Sequence, residues 1–171
     1  MKTIKTLILF LFVITLSCSE SDDSIEEQQQ AQGSLSLAFI SGGGFVMENV
    51  TATISGLYNN TNKLSIHITG EAEGSNIGEL TLNLIDNDPD SEAFKVNTEY
   101  SFNINSNTVY ANATYVDSYK DFSGDTGRLT ITKYDESTNS ATINGILSIT
   151  GNYETMLLNM SSLILTCTEC N

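Results

Sequence analysis

Apolar and polar side chains alternate with a period of two through most of this chain, and that pattern constrains the fold more than any other feature. The clearest runs are Leu64–Ile68 and Leu80–Leu84. Successive side chains of a strand point to opposite faces of a sheet, so each run predicts a strand with one buried face. No stretch of useful length has the 3.6-residue period of an amphipathic helix. The chain is therefore predicted to be all-β.

Turn-forming clusters rich in Gly, Asn and Asp separate the runs, for example at Asp86–Ser91 and Ser123–Gly127. Short strands with one polar face favour an antiparallel β-sandwich or barrel of about nine or ten strands. The clearest hairpin pairs Leu129–Tyr134 with Ala141–Ile149, and Met156–Thr166 is predicted to be a central or closing strand. The residues predicted to share one core are Leu64, Ile66, Ile68, Leu80, Leu82, Leu84, Leu129, Ile131, Ile143 and Leu147.

The N-terminus has the pattern of a secretory signal. Lys2 and Lys5 precede the apolar stretch Leu7–Leu16, and Ser17 and Cys18 follow it. The apolar stretch is about half the roughly 20 residues that a membrane-spanning helix needs. A cysteine directly after the cleavage point predicts that Cys18 becomes the lipid-modified N-terminus, although Thr15 stands where Leu is usual in such signals. An ordinary cleaved signal without the lipid is the alternative.

This signal predicts three regions. Residues 1–17 are the lipoprotein signal peptide, residues 18–33 form an acidic disordered tether, and residues 34–171 form a single β domain. The mature protein is expected at the outer membrane, exposed at the cell surface and held there by its lipid.

The chain is strongly acidic, with a net charge of −14. Cleavage before Cys18 removes Lys2 and Lys5 and no acidic residue, so the mature charge is −16. Nucleic-acid and anionic-lipid binding both depend on Lys and Arg near phosphates, so a nucleic-acid partner is not expected.

Two neighbouring segments resemble a known family. Gly127–Asp135 has the form G-x-L-x-I-T-K-x-D, and Ile143–Ser148 has the form I-x-G-x-F-S with Leu147 in place of Phe. In these segments the chain resembles a family of Bacteroidota lipoproteins whose domain has no assigned function, and the acidic stretch after Cys18 resembles the surface-export signal of that phylum. The resemblance implies a β fold and a cell-surface address, and it implies no activity.

The segment Tyr115–Asp125 is the candidate binding loop, because it combines aromatic rings with carboxylates. Rings stack on sugars and carboxylates accept sugar hydroxyls, so a glycan or protein partner is predicted for this segment. The alternative is a loop whose rings pack onto the core. The candidate residues are Tyr115, Asp117, Tyr119, Asp121, Phe122 and Asp125.

Cys167 and Cys170 form a C-x-x-C pair for which a disulfide is favoured over two free thiols, since an exported compartment is oxidising. Residues three apart in an extended strand are about 10 Å apart, whereas bridged Cα atoms lie about 4.4–6.8 Å apart, so the bridge is expected to need a turn at Thr168-Glu169.

Metal and catalytic motifs are weak. Asp86, Asp88 and Asp90 alternate as calcium ligands do, but Ser91 replaces the required Gly, so a polar hairpin loop is preferred. His67, the single histidine, falls on the polar face of a strand, where a solvated imidazole is expected. Triads and catalytic zinc sites both need histidine in a defined role. No cofactor is predicted.

These features favour a non-catalytic, lipid-anchored binding or accessory module. A small-ligand carrier with a lipocalin-like barrel cavity is the second hypothesis. A hydrolase that uses carboxylates alone is the third.

Overall fold

The structure is a computed structural model that describes residues 33–57, 62–72, 76–87, 94–103, 109–118, 120–152 and 154–170. Within these ranges the chain is all-β, as predicted. The ten strands are β1 (Ser34–Phe39), β2 (Gly44–Val46), β3 (Glu48–Ser55), β4 (Lys63–Glu71), β5 (Ile77–Asp86), β6 (Glu99–Phe102), β7 (Val109–Val116), β8 (Asp121–Asp135), β9 (Ser140–Thr150) and β10 (Thr155–Glu169).

The strand pairings form a closed circuit. Antiparallel pairs lead from β3 through β4, β5, β7, β8 and β9 to β10, and β10 then pairs with β3 in parallel. The two longest strands make this closure. One edge of β10 pairs with β9, while its other edge pairs first with β1 and then with β3. Likewise β8 pairs with β9 on one edge, and with β7 and then β6 on the other. The result is a seven-stranded barrel with β1, β2 and β6 attached at its sides.

Inward-facing side chains fill the barrel with one apolar cluster. All ten residues predicted to share the core belong to it, and each is fully buried. A barrel of about eight strands can be filled by its own side chains or can hold one small ligand. Here the described inward side chains have almost no accessible surface, which indicates that they fill the interior themselves. Among the described residues the buried side chains are aliphatic, aromatic or sulfur-containing, and Tyr115 is the one that carries a hydroxyl. The interior of this barrel is therefore a packed hydrophobic core.

The predicted hairpin and closing strand are both present. Leu129 lies opposite Gly145 and Ile131 opposite Ile143 in the β8–β9 pair. The run that begins at Met156 is β10, which closes the barrel.

The predicted turn at Ser123–Gly127 is wrong, because this segment is the middle of β8. The pairing with β9 shifts register between Ser123 and Thr126, so the strand contains a bulge where a turn was expected. Gly127 serves close packing, since a Cβ atom there would lie 2.5 Å from the backbone oxygen of Ile146. A Gly/Asp cluster thus marks a bend in a continuous strand as well as it marks a turn.

The described part of the chain contains no helix long and apolar enough to cross a bilayer.

Candidate functional site

The segment predicted as a surface loop is instead a β-hairpin. Tyr115 lies in β7 and Phe122 in β8, and Val116 pairs with Asp121 across the turn. Tyr115 is completely buried and Phe122 nearly so. The loop prediction is wrong because the period-two pattern continues to each side of a short turn and points both rings inward. The alternative, in which the rings pack onto the core, describes both of them.

The Tyr115 hydroxyl is tied to the turn. It donates a hydrogen bond to Oδ2 of Asp117 at 3.1 Å, and the backbone N–H of Lys120 donates to Oδ1 of the same carboxylate at 2.9 Å. Burial raises the pKa of Tyr115 well above its ordinary value, and the charge and hydrogen bond of Asp117 raise it further. Gly78 leaves room for this hydroxyl, since a Cβ atom there would lie 2.7 Å from it. Asp117 thus joins the core to the turn.

An aromatic cluster lies beneath the hairpin. The Phe39 ring centroid is 6.3 Å from those of Phe45 and Phe122, and the Lys120 ammonium lies 4.0 Å above the Phe39 ring. A cation over a ring face is attracted by the ring quadrupole. This contact holds Lys120 against the end of the barrel.

At the surface, the hairpin turn brings together an exposed Asp121, a partly exposed Asp117 and Lys120. Tyr119 lies outside the described residues. Asp125 lies in β8, and its side chain is likewise outside the described part of the structure. The structure therefore places two of the candidate carboxylates on one turn, together with a cation that the sequence argument had not included.

The C-terminal cysteines are joined in a disulfide, with their Cα atoms 5.8 Å apart. The expected turn is absent, because the strand continues to Glu169 and a register shift between Cys167 and Glu169 shortens the path instead. Thr168 donates from Oγ1 to the Ile54 oxygen at 3.3 Å. The bridge thus stands where β10 meets β3, at the contact that closes the barrel.

The remaining motif residues are only partly described by the structure. Asp86 ends β5, whereas Asp88 and Asp90 lie outside the described residues, as does Cys18. Groups of three or more metal-ligating side chains are absent from the described part of the chain. His67 is exposed, with Nδ1 3.7 Å from Oε1 of Glu79.

The motif residue Asp135 shapes the β8–β9 turn. Its carboxylate accepts hydrogen bonds from the hydroxyl of Ser137 at 2.6 Å and the ammonium of Lys133 at 3.1 Å. These bonds, that from Ser137 first, lower the pKa of Asp135 to about 2. The T-K-x-D part of the motif is thus explained by hairpin geometry.

A further surface feature was missed by the sequence argument. A groove of about 430 Å³ lies on the outer face of β6, β8, β9 and β10, around Arg128, the single arginine of the chain. We call it the Arg128 groove, and its lining includes Glu99, Arg128, Thr130, Asn144, Ile146, Asn159 and Ser161. Glu99 comes from β6 and the other residues from the consecutive strands β8, β9 and β10, so the pairing register brings them together. The one sequence feature that could have drawn attention to this groove is that Arg128 is the single arginine of the chain.

No family model, curated protein or solved structure matches this chain.

Proposed function

We propose that this chain is a lipid-anchored β domain that acts as a non-catalytic binding or accessory module at the outer-membrane surface. The observation that carries the proposal is the packed interior of the barrel. A carrier of small apolar ligands needs an enclosed cavity, and a seven-stranded barrel filled by its own side chains favours recognition on the outer surface instead. Loops and turns on such a rigid scaffold are where contacts with partners concentrate.

The β7–β8 hairpin is one surface suited to that role. Asp117 and Asp121 place carboxylates at the turn, and Lys120 adds a cation held over Phe39. With Tyr119 between them in the sequence, the turn combines hydrogen-bond acceptors, a donor and an aromatic ring. We propose that a glycan or protein partner contacts this turn.

The sequence supports the membrane address. The apolar stretch Leu7–Leu16 precedes Cys18, and an acidic stretch separates Cys18 from β1. Two or more acyl chains hold a protein stably at a bilayer, because each buried methylene contributes roughly 0.8 kcal/mol. The resemblance to the Bacteroidota lipoprotein family also supports a membrane-anchored address, as part of this proposal.

Anchoring is tested by intact-mass analysis of the protein extracted from membranes of a Bacteroidota host. We expect the loss of residues 1–17 and an added lipid mass on Cys18, and we expect Cys18→Ala to release the chain from the membrane fraction. A chain that retains Met1, or that is soluble with Cys18 intact, contradicts the proposal.

Binding is tested with cells that display the full-length protein, which are probed with surface glycans and with partner proteins from the same host. The double variant Tyr119→Ala/Asp121→Ala changes the turn while leaving the buried Tyr115 and Phe122 in place. We expect it to bind less than the wild type, with Lys133→Met at the opposite hairpin as an unchanged control. Equal binding by the wild type and the double variant excludes the turn as the contact surface.

A further inference from the structure

We propose that the Arg128 groove binds a segment of an uncharged saccharide chain. The inference rests on the proposed function as a binding module, names a ligand class for it, and assigns it to a second surface. The inference is based on the side chains that the strand register places on the outer face of β6, β8, β9 and β10.

The surface around the groove is almost free of charge. Three adjoining rows of outward side chains cross the strands β6, β8, β9, β10, β1 and β2. Every residue in these rows is described, and Arg128 and Glu99 are the charged ones among them. The others are Ser34, Ser36, Ala38, Gly44, Val46, Ser101, Thr126, Thr130, Asn144, Ile146, Ser148, Leu157, Asn159 and Ser161. In a chain with 21 acidic residues, a broad face with one positive and one negative charge is a distinct surface.

A bulge in β10 lies beside the groove. Met160 pairs with Gly145 and Leu163 with Ile143, so Ser161 and Ser162 together oppose Asn144. The backbone N–H of Ser162 donates to Oδ1 of Asn144 at 2.7 Å. This bond fixes the orientation of the Asn144 carboxamide beside the groove.

The lining supplies donors and acceptors in one place. The Arg128 guanidinium has five N–H donors, and the Glu99 carboxylate only accepts. Asn159 and Thr130 each donate and accept. Sugar hydroxyls also donate and accept, so such a lining matches several of them at once. Ile146, 40% exposed, offers an apolar contact for the C–H face of a sugar ring.

Charge decides between an uncharged and an acidic saccharide. The whole chain has a net charge of −14, and the groove itself contains one cation and one anion. A polyanion would be repelled by the net negative charge of the chain, and it would gain little attraction from a groove in which one cation is balanced by one anion. An uncharged saccharide is not repelled by the net charge and does not depend on charge attraction.

The same surface lacks the anchors that are typical of protein interfaces. The centres of protein interfaces are enriched in Tyr, Trp and Phe, and binding energy concentrates on such anchors. None of the outward residues in the three rows is aromatic. Hydroxyl and carboxamide groups dominate them, which favours a ligand that is itself rich in hydroxyls.

The test uses the full-length protein extracted with its anchor in a detergent that has no sugar headgroup. It is titrated calorimetrically with short neutral oligosaccharides of glucose, mannose, galactose and xylose, and with an oligogalacturonate as the acidic probe. The variants are Arg128→Met and Asn159→Ala. The matched controls are Lys133→Met, which removes an exposed cation elsewhere, and Asn112→Ala, which removes an exposed carboxamide from β7.

We expect saturable binding of at least one neutral oligosaccharide, with each groove variant weakening it about tenfold or more and neither control changing it. Unchanged thermal unfolding midpoints verify that all four variants fold. The proposal is overturned if no neutral oligosaccharide saturates the wild type, if Arg128→Met binds as the wild type does, or if the oligogalacturonate binds more tightly. In each of those cases the proposed function is tested separately by the binding experiment with cells that display the protein. It still holds if a partner binds those cells through the β7–β8 hairpin.

Discussion

At the residue scale, Tyr115 shows how a buried polar group is accommodated in an otherwise apolar core. Its ring belongs to the core, and its hydroxyl reaches Asp117 at the hairpin turn. The raised pKa of Tyr115 means that the folded state retains the phenol proton at a pH at which the unfolded chain, with a pKa of about 10, has lost it.

This linkage predicts the effect of Tyr115→Phe. Below about pH 10 the variant loses a hydrogen bond to a carboxylate, which costs about 1–3 kcal/mol. Above about pH 10 the wild type loses stability as the unfolded state releases its proton, and the variant lacks that dependence. Urea unfolding below and above about pH 10 measures the difference in free energy of unfolding between the wild type and Tyr115→Phe. The control is Tyr110→Phe, which changes an exposed tyrosine. A constant gap between wild type and Tyr115→Phe across the alkaline range would contradict the linkage.

At the element scale, the long strand β8 depends on a glycine where it passes close to the backbone of β9. Gly127→Ala would place a Cβ atom 2.5 Å from the Ile146 oxygen and 3.1 Å from Cε2 of Phe102. The Ile146 backbone is held in the β8–β9 pair, so the strand itself must shift, at a cost of about 1–3 kcal/mol. Chemical denaturation measures this cost against Asn112→Ala, an exposed substitution in β7 expected within about 0.5 kcal/mol of the wild type. Equal stability of the two variants would show that β9 does not approach β8 this closely.

The contact between β3 and β10 is the other critical element. It is short, and the Cys167–Cys170 disulfide lies within it. A bridge that closes so small a loop stabilises by about 2 kcal/mol, so Cys170→Ser should weaken this end of β10 by that amount. Hydrogen exchange should then quicken at Gly56, whose N–H donates to the Glu169 oxygen, and remain unchanged in the β8–β9 turn. Unaltered exchange at Gly56 would mean that the bridge does not support the closure.

The strands and the core could be predicted from the sequence because alternation is a local signal. Leu82 and Ile131 needed only their neighbours in sequence to be assigned to the inner face. Met156–Thr166 was predicted as a central or closing strand, but the strand with which it closes the barrel could not be predicted. That closure is a parallel pair with β3, which follows the β1 pair along the same edge of β10. The Arg128 groove was missed because the register between four strands cannot be read from the local sequence of any one strand. Aromatic residues beside aspartates were misleading, since Tyr115 and Phe122 continue the alternation on each side of a turn.

At the scale of the whole molecule, stability rests on one core that every strand of the barrel helps to form. Leu82 is fully buried in β5, next to Thr81 on the outer face. Leu82→Ala should cost about 2–5 kcal/mol, and Thr81→Ala less than about 1 kcal/mol. Thermal and chemical unfolding of the two variants measure this contrast. Similar losses for both would mean that the inner and outer faces are not separated as described.

The central claim is that the barrel is filled and that recognition occurs on its outside. The most direct test titrates the chain lacking residues 1–18 with benzene and with a fluorescent fatty acid, beside Leu82→Ala as a variant with an engineered void. We expect no saturable uptake of either probe by the wild type, whereas Leu82→Ala should take up benzene, because small apolar cavities admit it. Saturable uptake of the fatty acid by the wild type would reveal an internal binding cavity and would contradict the account in favour of a carrier.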